Sequence, residues 1–288
     1  MPELPEVETI ARGLRKGALG ECLTGVEVRH RGVLIGSAEE FASQLQNQRL
    51  VAVRRKGKVL AVELRTSNGG VPRYLVVRLG MTGQFTVVPR HAPVEPHTHV
   101  RLLLGGGKNE LRFRDIRRFG RLRCCTREEL EAVLRELGPD AQEMTEEQFL
   151  GAMRGRRGAI KSWLMNQRLL AGLGNIYADE ALFAAGIHPL AQPRRISRQA
   201  ASRLFKAVRK VLDRAVRLGG TTFSDYLNAE GRPGAFLAKL RVYQRTGEAC
   251  RRCRQAIRRI VIAGRSCHFC PRCQPRPRNV ASMRGPRN

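Results

Sequence analysis

Two cysteine pairs constrain this chain more than anything else in it. Cys250-x-x-Cys253 and Cys270-x-x-Cys273 are separated by sixteen residues, inside the spacing window of four-thiolate zinc sites. Four thiolates complete a tetrahedral shell and leave no open position, so the expected Zn2+ holds a fold and does no chemistry. Cys22, Cys124 and Cys125 are scattered, and in a long chain that pattern favours metal over disulfides. A second pairing stays open, because Cys267-x-x-Cys270 is also a knuckle and leaves a gap of thirteen. His268 is a further possible ligand, although its expected place is the surface of a hairpin. Between the knuckles, Ile260-Val261-Ile262 runs into Ala263-Gly264 and turns back through Arg265, which predicts a β-hairpin with an arginine near its tip. Such an arginine would meet either a phosphate or only solvent.

Charge narrows the partner. With 53 Lys plus Arg against 25 Asp plus Glu, the 288 residues carry a formal +28, an excess that points to a polyanion, most commonly nucleic acid. No apolar run approaches the roughly 20 residues of a membrane span. The start of the chain is acidic, with Glu3, Glu6 and Glu8, where a secretory signal would be basic and then apolar. A cytoplasmic, monomeric protein without a membrane partner is expected.

The pattern along the chain predicts an α+β, two-lobed protein. Pro5 suits the first turn of a helix over 5–18, with Val7, Ile10, Ala11 and Leu14 on one face. Residues 22–125 alternate as strands do, in Val26-Glu27-Val28, Val51-Ala52-Val53 and Leu60 to Leu64, between turns at Lys56-Gly57-Lys58, Asn68-Gly69-Gly70 and Gly105-Gly106-Gly107. An antiparallel sandwich or barrel over 1–125 follows. Capping boxes at Thr126 with Glu129 and at Thr145 with Gln148 open a helical part, 126–235. The finger occupies 236–273, and 274–288 reads as a disordered basic tail.

The N-terminus carries the chemistry. Methionine before a small residue is ordinarily removed, which would expose the secondary amine of Pro2. An α-amine has a pKa of about 7.7–8.0 against about 10.4 for lysine, so far more of it is nucleophilic near neutrality. Attack on a sugar C1′ would give an iminium, a good electron sink. Glu3 and Glu6 are placed to supply a general acid and shape the local field, or only to complement the helix dipole.

The run Pro2-Glu3-Leu4-Pro5-Glu6-Val7-Glu8-Thr9 resembles the start of the bacterial formamidopyrimidine-DNA glycosylases, the 8-oxoguanine glycosylase/AP lyases. The likeness continues through Leu79-Gly80-Met81-Thr82-Gly83, Asp115-Ile116-Arg117-Arg118-Phe119-Gly120, Gly174-Asn175-Ile176-Tyr177-Ala178, Gly219-Gly220-Thr221-Thr222 and the cysteine finger. It covers residues 1–273. It implies an N-terminal β-sandwich, a helix-two-turn-helix domain and a β-hairpin zinc finger, with double-stranded DNA containing oxidised purines held between the halves. By this resemblance Pro2 is the Schiff-base nucleophile, Glu3 the proton donor, Lys58 the lysine of β-elimination and Arg265 the arginine of δ-elimination and phosphate contact. Met81, Arg117 and Phe119 match the residues that fill the hole an extruded base leaves, which otherwise costs a few kcal/mol of stacking. Asn175 matches a phosphate contact, and His97, Arg156, Lys161 and Tyr243 match further DNA-contacting or basic positions. The loop from Thr221 to Gly234 is expected to cover the flipped base.

Three departures from the family pattern stand out. Arg78 occupies a common histidine position and keeps the positive charge; Ile116 replaces a common proline, and Cys267 a common threonine. Endonuclease VIII-type enzymes share the nucleophile and finger but prefer oxidised pyrimidines; Leu4 and Phe119 favour the purine enzymes. A non-catalytic zinc DNA-binding protein would explain the charge and the finger but would not need Pro2 at the terminus.

Overall fold

The computed structural model describes residues 2–66, 69–222 and 233–277. They form two compact units, one of residues 1–137 with 213–239 and one of 138–212 with 240–288.

The first unit opens with α1 (Leu4–Gly17). Then come β1 (Leu23–Val28), α2 (Ala38–Leu45), β2 (Gln48–Lys56), β3 (Val59–Thr66), β4 (Arg73–Arg78), β5 (Gln84–Pro89), β6 (Thr98–Leu104), β7 (Asn109–Arg114), β8 (Arg121–Cys125) and α3 (Arg127–Arg135). Two four-stranded antiparallel sheets, ordered β1-β6-β7-β5 and β2-β3-β4-β8, face each other as the expected sandwich. Leu50, Leu60, Val62, Leu64, Leu75 and Val77 from one sheet meet Phe85, Val100, Leu102, Leu111 and Phe113 from the other in a single core.

The predicted apolar face of α1, Val7, Ile10, Ala11 and Leu14, enters that core. Glu8 fastens the helix to β2 by accepting from Arg55 Nε at 3.0 Å, while Arg15 Nε donates to the Val53 carbonyl. Burial would raise the Glu8 carboxyl, but hydrogen bonds and charge from Arg55, Arg12 and Arg15 hold it below the usual range.

Strict alternation fails twice, each time for a reason in the packing. The ladder slips between Leu50 and Ala52, and the bulge turns Val51 out to solvent. In β3, Val59 to Leu64 are all buried, because the sheet's outer face packs Val59, Ala61, Tyr74 and Val76 against Leu130 of α3.

The second unit contains α4 (Glu146–Met153), α5 (Ile160–Met165), α6 (Asn175–Ala185), most of α7 (Arg198–Arg217), and the hairpin β9 (Arg258–Ile262) with β10 (Arg265–Phe269). Both predicted capping boxes form, at Thr126 with Glu129 and at Thr145 with Gln148. The hairpin closes through Ala263 and Gly264, whose φ values are 48° and 73°, the two-residue turn whose twist suits paired strands. The chain remains ordered past Cys273, contrary to a tail beginning at 274: Gln274 is buried, accepts from Cys270 N–H and donates to the Ile187 carbonyl. The rest of that tail, 278–288, lies outside the described residues. Among the described residues no helix is long and apolar enough to cross a membrane.

Candidate functional site

In the first unit the start of the chain is buried. Pro2, Glu3 and Glu6 are all buried, with Glu3 at the N-cap of α1. Both oxygens of Glu6 are engaged: Oε2 accepts from the Glu3 N–H at 2.8 Å and Oε1 from the Thr221 N–H at 2.7 Å. The carboxylate thus joins the first helical turn to the segment after α7. Gly220 permits this approach, since at its φ of +84° an added Cβ would lie 2.7 Å from Glu6 Oε1. Opposite it, Phe236 N–H donates to the Gly220 carbonyl and Gly234 N–H to Thr222 Oγ1. These bonds tie Gly220 and Thr222 to Phe236 and Gly234; the central part of the expected covering loop, 223–232, lies outside the described residues. Lys58 follows Gly57 in the turn between β2 and β3 and is half-buried, while Lys56 points elsewhere and donates to the Leu134 carbonyl.

A second group in the same unit gathers on two loops. Met81 is 39% exposed and Phe119 52% exposed, high values for large apolar side chains. The Arg117 guanidinium lies over the Phe119 ring, 4.7 Å from its centroid. Arg78 closes β4 and is exposed, and exposed His97 has a left-handed backbone with φ 65°.

In the second unit Asn175 begins α6, directly after Gly174 at the N-cap. Its Oδ1 is buried with no hydrogen-bond partner among the described residues, at the helix end whose amides and dipole favour an anion. Exposed Arg156 lies in the turn between α4 and α5. Tyr243 is half-buried and edge-on to His268, 5.1 Å between ring centroids. Glu180 fixes that segment by accepting from the backbone N–H groups of Arg241, Val242 and Tyr243. Burial raises the Glu180 carboxyl, partly offset by these donors.

Lys161 is corrected by the structure. Its side chain is only 1% exposed, and Nζ donates to Asp179 Oδ1 at 2.6 Å and to the Ser266 carbonyl at 2.7 Å. The ammonium is therefore spent inside the protein and not presented to DNA. His268 is likewise not on the hairpin surface. It is buried, and both its backbone N–H and its Nδ1 lie against Asp179 Oδ2. The Cys267 thiol donates to the other oxygen of Asp179, and burial with that carboxylate keeps the thiol strongly protonated. One buried carboxylate thus anchors β10 to α6, leaving Arg265 exposed at the start of the strand.

The metal question resolves toward the wider spacing. The Sγ atoms of Cys250, Cys253, Cys270 and Cys273 all lie within 4.8 Å of one another. The separations Cys250–Cys273 and Cys253–Cys270 are 3.9 and 3.4 Å, close to the ~3.8 Å edge of a tetrahedron with Zn–S bonds of about 2.3 Å. Backbone N–H groups of Arg252 and Cys273 point at Cys250 and Cys270 sulfur, as thiolates require. The four residues fit one structural zinc ion, and Cys267 is not among its ligands.

Sequence reasoning assigned no role to Asp115, Thr82, Asp179 or Glu180. Asp115 and Thr82 stood inside recognisable motifs, but only the fold shows what their side chains hold.

Comparison with known proteins agrees with this architecture. Residues 1–122 match the formamidopyrimidine-DNA glycosylase N-terminal domain, 137–226 the formamidopyrimidine-DNA glycosylase H2TH domain, and 247–276 the zinc finger found in FPG and IleRS. The chain is 42% identical to the formamidopyrimidine-DNA glycosylase of Parafrankia sp. over 97% of its own length and 100% of that protein. It is 41% identical to that of Solibacter usitatus, over 96% and 100%. A mutant Lactococcus lactis FPG in complex with Fapy-dG-containing DNA superposes with a TM-score of 0.87 at 32% identity, covering 96% of this chain and 100% of that one. A MutM in complex with carbocyclic 8-oxo-G-containing DNA gives 0.86 at 31%, with the same coverage. From its first turn to its zinc finger, the chain belongs to the formamidopyrimidine-DNA glycosylase family.

Proposed function

We propose that this protein excises oxidised purines, 8-oxoguanine and formamidopyrimidines, from double-stranded DNA and then cleaves the abasic strand by β,δ-elimination. The observation that carries the reading is the fixed start of the chain: Pro2 beside a buried Glu3 whose N–H is held by Glu6, which also grips the Thr221 amide. Once Met1 is removed, the Pro2 nitrogen bonds to C1′ as the bond to the damaged base breaks, and Glu3 supplies a proton. The resulting aminal then opens its C1′–O4′ bond, O4′ taking that proton and leaving as a hydroxyl, to give an iminium whose positive charge needs no further proton, so the C2′ proton becomes acidic. Its loss expels the 3′ phosphate, with Lys58 assisting, and a second elimination, the step the family resemblance gives to Arg265, expels the 5′ phosphate. Glu6, filled by two backbone donors, serves this scheme by holding the Glu3 backbone still. Extrusion of the base would be met by Met81, Arg117 and Phe119. Exposed Arg78, His97 and Arg156, Asn175 with its unfilled Oδ1, and half-buried Tyr243 would meet the DNA around it.

Oxidised pyrimidines form a second reading, because another similar structure is a Lactococcus lactis Fpg complex with DNA containing an oxidised pyrimidine. A panel of duplexes separates the two. Release of 8-oxoguanine and formamidopyrimidine should exceed release of dihydrouracil or thymine glycol at equal enzyme. The reverse order would reject the purine assignment.

A further inference from the structure

Two loops of the first unit share one buried carboxylate. Asp115 is fully buried. Its Oδ1 accepts from the Thr82 hydroxyl at 2.5 Å and from the Arg117 N–H at 3.2 Å, and its Oδ2 accepts from the Gly120 N–H at 2.7 Å. The Thr82 oxygen in turn accepts from the Arg117 N–H at 3.1 Å. The Asp115 backbone is tied as well, its N–H donating to the His97 carbonyl and its carbonyl facing His99 Nε2 at 2.8 Å. Backbone closeness completes the lock. Gly80 has φ +63°, and a Cβ there would come within 2.6 Å of the Phe119 carbonyl carbon. Loop 79–83 carries Met81, and loop 115–120 carries Arg117 and Phe119.

We propose that Asp115, acting through the Thr82 hydroxyl, is a positioning residue that welds these two loops into one platform, so that Met81, Arg117 and Phe119 enter the DNA as a unit. This rests on the reading that those three side chains fill the gap left by the extruded base. A wedge repays the unstacking cost only if it is rigid before contact, since ordering two independent loops at that moment would consume the gain. A charge-assisted network of four hydrogen bonds, centred on a fully buried carboxylate, supplies that rigidity. The demand is greatest for a stacked, paired 8-oxoguanine and least for a preformed abasic site, which has no base to pull out.

The test uses the zinc-loaded full chain with Thr82→Val, which keeps shape and removes the hydroxyl, Thr82→Ser, which keeps the hydroxyl, and Asp115→Asn, which turns one acceptor oxygen into a donor. Single-turnover excision of 8-oxoguanine opposite cytosine should fall by ~10-fold or more in Thr82→Val and Asp115→Asn. Incision of an abasic duplex should fall far less, and Thr82→Ser should restore excision. A 2-aminopurine beside the lesion should show slowed wedge insertion in the same two variants. Equal losses on both substrates would mean general damage to the fold and would overturn the proposal, as would wild-type excision in both variants. Met81→Ala and Phe119→Ala run alongside: if they excise 8-oxoguanine normally, the gap-filling reading itself fails, whereas if they are impaired and Asp115→Asn and Thr82→Val are not, only the lock fails.

Discussion

His188 is the residue whose protonation most clearly opposes folding. It is buried, its ring is edge-on to Phe269 at 4.8 Å, and its Nδ1 accepts from the Leu190 N–H. A protonated ring could not accept that bond. Burial, with a smaller contribution from the charge of Arg276, lowers its pKa from 6.5 to about 4. A folded pKa below the unfolded one leaves stability intact above about pH 6.5 and removes it as pH falls from there toward 4. The expected loss between pH 7 and pH 5 is on the order of 2 kcal/mol. Urea midpoints at the two pH values check this, and His188→Gln should flatten the difference; an unchanged pH dependence in the variant would contradict the assignment. Individual residues were legible in the sequence only where local chemistry decides their state. The zinc cysteines announced themselves by spacing. Lys161 did not, because nothing near it in the chain reveals that Asp179 and the Ser266 carbonyl will enclose its ammonium. His268 and Cys267 were hidden for the same reason.

Among the elements, the β9–β10 hairpin depends on two supports, the Asp179 anchor and the four thiolates. A hairpin of two five-residue strands is marginal alone, so the metal should contribute much of its order. Removing zinc with a chelator is therefore expected to expose amides of 258–269 to hydrogen exchange while those of β2, β3 and β4 stay protected. Loss of δ-elimination before loss of base excision should accompany it, because Arg265 sits on the hairpin and Pro2 does not. Uniform exchange across the chain would deny the finger this local role. Element types were readable where one rule dominates: capping residues at Thr126 and Thr145, an apolar stripe in α1, Ala-Gly at the hairpin turn. Strand detail was not, since the bulge at Leu50–Ala52 and the two-sided burial of β3 come from what packs on the sheet.

At the scale of the molecule, the strand period and the family resemblance together pointed to a β-sandwich near the N-terminus and a four-cysteine finger near the other end, and both are present. The division between units falls elsewhere than expected, since 126–137, read as the start of the helical part, belong to the first unit and the finger shares the second unit with α4 to α6. The contacts that tune the sites, Glu6 with Thr221 and Asp115 with Thr82, join residues 215 and 33 positions apart, and no local pattern encodes them. The central claim is that a proline amine does the chemistry, and borohydride tests it by reducing an iminium to a stable bond. Protein shown by intact mass to begin at Pro2, mixed with a duplex containing 8-oxoguanine opposite cytosine and borohydride, should yield one covalent adduct mapping to the N-terminal peptide, and Pro2→Gly should lose most of it. An adduct on a lysine, or none at all from correctly processed protein, would contradict the account.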